Sequence, residues 1–178
     1  MAYKLLDGKK YVLRVSWECK EGFAPEMDTL AYLLDMHGRV PRRYDIIFYN
    51  CKKHRSGALT ERAFDSQVNV REYELDTEKM FPYMQAATFF ITGFEAETRG
   101  VTTSQLKQVT LCLEDAESGE KLAEFSPNVD FSDSRSACIC RLDRAEGGWN
   151  LQETGEGCAQ WHVRTISKVL YQLPKWNE

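Results

Sequence analysis

Tyr11, Leu13, Val15 and Trp17 alternate with Val12, Arg14, Ser16 and Glu18. A period of two places the first set on one face of an extended strand, with the aromatic-rich face turned inward. A helix cannot carry this pattern, because residues two apart fall on opposite sides of it. The same kind of short segment recurs along the chain. Residues 29–34 and 44–51 are rich in β-branched and aromatic side chains and flank a turn at Asp35-Met36-His37-Gly38, which predicts a strand pair. Residues 68–75 read as a further strand whose apolar phase slips between Val70 and Tyr73, the mark of a bulge. Residues 87–94 are nearly continuously apolar, too short for most helices and rich in Phe, which predicts a central buried strand. Residues 106–114 with 121–126, and 137–143 with 149–153, flank Gly-containing loops and predict two hairpins.

Two helical pieces interrupt the strands. Asp76 is placed to cap one short helical turn that Pro82 ends. After Gly157, the positions Val163, Ile166, Val169, Leu170 and Leu173 recur at helical spacing until Pro174 stops them, which predicts a C-terminal amphipathic helix. Its polar side holds only His162, Arg164 and Lys168 as basic residues, too few for an interfacial membrane anchor, so the apolar stripe is expected to dock on the sheets. The sum is a mainly β chain, an antiparallel β-sandwich forming a single domain over residues 1–178.

Composition narrows the function. A net charge of −4 with both signs interspersed argues against a nucleic-acid partner, the exception being the basic run Lys52-Lys53-His54-Arg55. No charged-then-apolar leader and no apolar run near the about 20 residues needed to cross a bilayer are present, so the expected location is cytoplasmic, with no direct membrane insertion. The six cysteines contain no Cys-x-x-Cys and are expected to be free thiols. Cys138 and Cys140 lie two apart on a predicted strand, hence on one face, expected to be buried there. His37, His54 and His162 show no metal-ligand spacing and are expected to be solvated.

Several short motifs acquire meaning from their order. Trp17-Glu18 closes the first alternating strand, and Glu26-Met27-Asp28 precedes a Leu-rich stretch. Asp45 through Asn50 reads Asp-x-x-Phe-Tyr-Asn, and Phe94 through Gly100 reads Phe-Glu-Ala-Glu-Thr-Arg-Gly. Glu117 through Ala123 reads Glu-Ser-Gly-Glu-Lys-Leu-Ala, and Gly155-Glu156-Gly157 follows. In this order and spacing they resemble the TerD family of bacterial tellurium-resistance and stress proteins. The resemblance implies a TerD-like β-sandwich and, as in typical members, Ca²⁺ held by acidic loops. One departure bears on function. Where the family pattern has a glycine-rich acidic loop, residues 55–67 read Arg-Ser-Gly-Ala-Leu-Thr-Glu-Arg-Ala-Phe-Asp-Ser-Gln, with most acids and glycines gone.

Ca²⁺ takes roughly six to eight oxygen ligands, and the number of carboxylates sets its affinity. Carried over residue by residue, the resemblance leaves Glu26, Asp28, Asn50 and Asp65 as metal candidates. Ca²⁺ is therefore expected to bind weakly or to be lost, with Arg55 or Arg62 supplying cationic charge in its place. Glu95 and Glu97, at the end of a buried strand, are expected to form a structural ion pair with Arg99. No nucleophile-and-base constellation has the spacing of a known hydrolase, so no catalytic residues and no enzyme activity are expected. The reading is a non-catalytic cytoplasmic stress-response protein associated with tellurium resistance. It would act by ion-dependent or protein–protein binding, with partners among other proteins of such a system. Its rival is a calcium-independent adaptor presenting Lys52, Lys53, Arg55 and Arg62 as a basic loop surface.

Overall fold

A computed structural model describes residues 2–65 and 69–172, with side chains for all of these except 63–65. In chain order the strands are β1 (Ala2–Leu6), β2 (Lys10–Cys19), β3 (Met27–Leu34), β4 (Ile46–Ile47), β5 (Leu59–Asp65), β6 (Val70–Asp76), β7 (Ala86–Gly93), β8 (Leu106–Asp115), β9 (Lys121–Phe125), β10 (Ser136–Ala145) and β11 (Gly148–Cys158). They form two antiparallel sheets, one in the order β1-β11-β10-β7-β3-β4 and the other β5-β6-β2-β8-β9. The helices are α1 (Ala96–Arg99) and α2 (Val163–Tyr171).

The core between the sheets is built from the expected alternations. Tyr11, Leu13, Val15 and Trp17 of β2 meet Ala31, Leu33, Phe89, Ile91 and Leu142 of the facing sheet. A second cluster lies on the outer face of the six-stranded sheet, where Leu30, Tyr32, Leu34 and Phe90 are covered by Val163, Ile166 and Tyr171 of α2. β3 and β7 thus carry apolar residues on both faces, which is the physical reason all eight residues of β7 are buried and its sequence does not alternate. Both predicted hairpins form, as β8 with β9 and β10 with β11.

Several expectations are corrected. The predicted strand at 44–51 shrinks to Ile46–Ile47, because Arg43–Asp45 is a 3-10 turn and the chain reverses between Phe48 and Cys51, whose backbones bond at 2.8 and 3.1 Å. The bulge lies in β5 between Glu61 and Ala63, not in β6. The apparent phase slip in β6 arises because the buried face runs Arg71, Tyr73, Leu75, with a charged residue at a core-facing position. Cys138 and Cys140 do not share a face. A bulge between them puts Cys138 opposite Phe90 and Cys140 opposite Phe89, so Cys138 joins the cluster under α2 and Cys140 the core between the sheets.

A short helical turn forms at Thr77–Lys79 without a side-chain cap; the Asp76 carboxylate instead pairs with Lys79 at 3.1 Å and Lys10 at 3.8 Å. In α2 the buried positions are Val163, Ile166, Ser167 and Tyr171, while Val169 and Leu170 are 57% and 43% exposed. Tyr171 displaces Leu170 from the expected stripe because its ring packs 4.9 Å from that of Tyr32 and its hydroxyl bonds Thr88 at 2.7 Å. Leu173 and Pro174 lie outside the described residues. Among the described residues no helix is long and apolar enough to cross a membrane.

Candidate functional site

β4 pairs with β3 at Ala31 and Tyr32, short of Asp28. Near that end of β3, Arg71 leaves the core-facing side of β6 and reaches Asp28, its Nη2 lying 3.4 Å from Oδ1. The Arg71 Nε is 4.0 Å from Glu61 Oε1 on β5, and the guanidinium sits 5.5 Å from the centre of the Trp17 ring. The three charged side chains are deeply set, with exposures of 21% for Asp28, 6% for Arg71 and 4% for Glu61. They floor an open cleft of about 470 Å³ whose walls include Met27, Tyr49, Lys52 and Phe94.

Burial dominates the electrostatics of this trio. Loss of water raises the Asp28 carboxyl above its ordinary range, opposed by the Thr29 N–H that donates to Oδ1 at 2.8 Å and by the charges of Arg71 and Lys52. Desolvation also raises Glu61, and the neighbouring Asp28 charge pushes it the same way; Arg71 and Lys52 oppose both. The same desolvation lowers Arg71, with the two carboxylates pulling back. Glu61 Oε2 is buried with no hydrogen-bond partner, so the cleft holds one acceptor that the protein itself does not satisfy.

The residues expected from sequence are distributed unevenly. Glu26 and Asp28 line the same cleft, but the Glu26 carboxylate turns to Arg99 Nη1 at 3.0 Å. Asn50 sits in an exposed turn and lines a different pocket. Asp65 ends β5, and its side chain lies outside the described atoms. Among the described residues, no three His, Cys, Asp or Glu side chains are grouped to hold a metal ion. The cation beside the acidic pair is Arg71, not Arg55 or Arg62. Arg55 lies over the Tyr44 ring at 4.8 Å, and Arg62 lies 3.9 Å from Glu74. The basic set therefore does not form one surface: Lys52 lines the cleft, whereas Arg62 lines a hollow with Lys9, Lys10 and Asp115.

One further grouping escaped the sequence reading. His54 is fully buried rather than solvated, with Nε2 3.0 Å from Asp45 Oδ1 and the Ser56 N–H donating to Nδ1 at 3.1 Å. Tyr83 donates to the same Asp45 oxygen at 2.5 Å. Arg71 had a readable signal, its two-residue phase with Tyr73 and Leu75; His54 and Asp45 had none, because their contact depends on the reversal at Phe48–Cys51.

A model of the TerD domain matches residues 5–166. The chain belongs to the TerD family. It is similar to general stress protein 16U of Bacillus subtilis (strain 168), 24% identical over 83% of this chain and 80% of the relative. It is also similar to tellurium resistance protein TerD of Serratia marcescens, 21% identical over 87% of this chain and 88% of that protein. A solved homologue of telluride resistance protein (TerD) from Streptomyces coelicolor A3(2) superposes with a TM-score of 0.64 at 14% identity, covering 89% of this chain and 95% of the other. The likeness in structure extends to the sandwich as a whole. In this TerD-family chain Phe94, the first residue of the segment Phe94–Gly100, lines the cleft. Gly100, at φ 64°, closes α1 through its N–H to Ala96 O. That closure leaves Arg99 over the Phe94 ring at 4.9 Å, paired with both Glu95 and Glu26 at 3.0 Å. Glu95 thus meets Arg99 as expected, while Glu97 lies 4.0 Å from Arg135 instead.

Proposed function

We propose that this TerD-family protein is a non-catalytic binding module in resistance to tellurium compounds and related chemical stress, engaging other proteins of that system in the cytoplasm without bound Ca²⁺. The resistance role is supported by relatives named for tellurium resistance, general stress and resistance to chemical-damaging agents. The single observation that carries calcium independence is Arg71 beside Asp28 and Glu61. A divalent cation coordinated by either carboxylate at about 2.4 Å would stand next to a guanidinium, and like charges so close repel strongly where water is excluded. Of the other candidates, the two whose side chains are described do not complete a coordination shell: Glu26 is paired with Arg99, and Asn50 faces another pocket.

A binding role rather than a catalytic one is supported by the state of the Ser56–His54–Asp45 string. The Ser56 hydroxyl lies 2.8 Å from His54 Nδ1, but it accepts the Ala58 N–H at 3.1 Å, and His54 is enclosed. These contacts brace the turn that leads into β5.

The test is calorimetric titration of the purified protein with Ca²⁺, followed by melting with and without the ion. No binding heat and no rise in Tm are expected. A micromolar or tighter site that Asp28→Ala abolishes would overturn the reading in favour of ion-dependent binding. That second reading rests on one observation, the unpartnered Glu61 Oε2.

A further inference from the structure

The charges that line the Asp28 cleft are balanced among the described side chains. Asp28 and Glu61 stand against Arg71 and Lys52, while Glu26 is already paired with Arg99. Burial favours the neutral form of both Asp28 and Glu61, so any departure from balance is toward positive charge. A free cation and a free anion would each meet a like charge in the cleft. A neutral group with its own hydrogen-bond donor and acceptor meets no such opposition.

The floor supplies an acceptor. Glu61 Oε2 is buried without a hydrogen-bond partner, on a side chain only 4% exposed. An unmade hydrogen bond at a buried oxygen costs free energy that a ligand donor recovers. Because this oxygen is recessed, only the slender tip of a chain can reach it. Lys52, an exposed residue lining the same cleft, supplies N–H donors. Met27 and the rings of Tyr49 and Phe94 offer apolar wall to an unbranched stem. Arg71 keeps the contacts it already makes, and the ligand needs none from it.

A primary carboxamide is neutral and carries N–H donors and a carbonyl acceptor on one planar head. A hydroxyl does both from a single atom; the carboxamide places them on two, matching an acceptor and a donor on different segments of this chain. On the reading of this chain as a protein-binding module, we propose that the cleft takes a glutamine or asparagine side chain of a partner protein, its amide N–H donating to Glu61 Oε2 and its carbonyl accepting from Lys52. The volume of about 470 Å³ lies within the range for such sites, roughly 300–1,000 Å³, and holds one side chain with its flanking backbone.

The experiment is an NMR titration of ¹⁵N-labelled protein, without Ca²⁺, with glutamine, methionine and lysine, each carrying acetyl and methylamide caps. The three share a backbone, and only glutamine brings a neutral carboxamide. The reporters are the backbone N–H groups of Thr29, which donates to Asp28 Oδ1, and Phe94, which donates to Glu26 O. Both should shift saturably with the glutamine compound. The other two should bind at least about tenfold more weakly, the loss expected when a hydrogen bond to a charged group is removed. Glu61→Met and Lys52→Met should each erase most of the preference for glutamine over methionine. Lys121→Met, at a side chain paired with Glu124 on β9, is the control and should keep it. If Glu61→Met fails to fold, Lys52→Met at its exposed position decides. Equal binding of the methionine compound, tighter binding of the lysine compound, no saturable shift, or a preference that survives in both folded variants overturns the proposal. A Ca²⁺ site in the separate calorimetric titration tells against the calcium-independent reading, whereas no glutamine preference in a protein that binds no Ca²⁺ tells against this ligand alone.

Discussion

Arg71 is the residue on which the cleft turns, since removing it leaves two desolvated carboxylates facing one another. Breaking a buried charge pair by deleting one partner typically costs about 3–5 kcal/mol. Arg71→Ala is therefore expected to lower unfolding free energy by roughly that much at pH 7, with a smaller loss in acid, where the carboxyls take up protons; urea unfolding at two pH values checks both. The carboxyls themselves give a second expectation. Their folded pKa values are raised, so between the ordinary carboxylate value of about 4 and the raised value the native state holds more protons than the unfolded state. Stability must then fall as pH rises through that window. Glu61→Gln should flatten its share of the fall and leave the protein at least as stable as the parent at pH 7, measured as Tm across a pH series. A steeper fall in the variant would mean that Glu61 is charged and well paired. Arg71 was partly legible in the sequence, as the charged member of a two-residue phase. Glu61 was not, because its burial follows from a bulge that no local pattern announces.

At the level of elements, α2 shows how periodicity locates a helix without identifying the side chains that touch its partner. Helical spacing marked Val163 and Ile166 correctly, and both are buried. It also marked Leu170, which the structure leaves 43% exposed, and passed over Tyr171, which fills the site with a ring and a hydroxyl bond to Thr88. Ile166→Ala should therefore destabilise by about 2–5 kcal/mol, the usual cost of a core cavity, while Leu170→Ala should cost less than about 1 kcal/mol. Tyr171→Phe should cost about 1–2 kcal/mol, because Thr88 Oγ1 is buried and loses its partner. Denaturant unfolding of the three variants separates the buried face from the exposed one; equal losses for Leu170→Ala and Ile166→Ala would show the helix seated differently. The strands were easier to read than the helix face. β2 alternates because only one of its faces meets the core, and β7 runs continuously apolar because both of its faces do.

For the molecule as a whole, two apolar clusters on either side of the six-stranded sheet divide the cysteines by accessibility. Cys138, Cys140 and Cys158 are buried, whereas Cys19, Cys51 and Cys112 are partly exposed. Burial pushes the Cys138 thiol up to about 11 and raises Cys140 further from reactivity. A thiol-reactive probe should label only the partly exposed three in the native protein and all six cysteines after denaturation. Native labelling of Cys140 would mean that the inter-sheet core opens locally. The sequence by itself determined the mainly β class, the strands β2, β3, β6 and β7, both hairpins, the C-terminal helix and the family, because two-residue alternation, turn residues and ordered motifs are local properties of the chain; it announced neither β1 nor β5. Tertiary structure alone decided which charges distant in sequence meet. Asp28 and Arg71 are 43 residues apart in the chain and lie in different sheets, and His54 reaches Asp45 only because the chain reverses between Phe48 and Cys51. Such contacts exist only once the sheets have closed on their core, because packing and desolvation, unlike periodicity, are set by neighbours that the linear order does not place side by side.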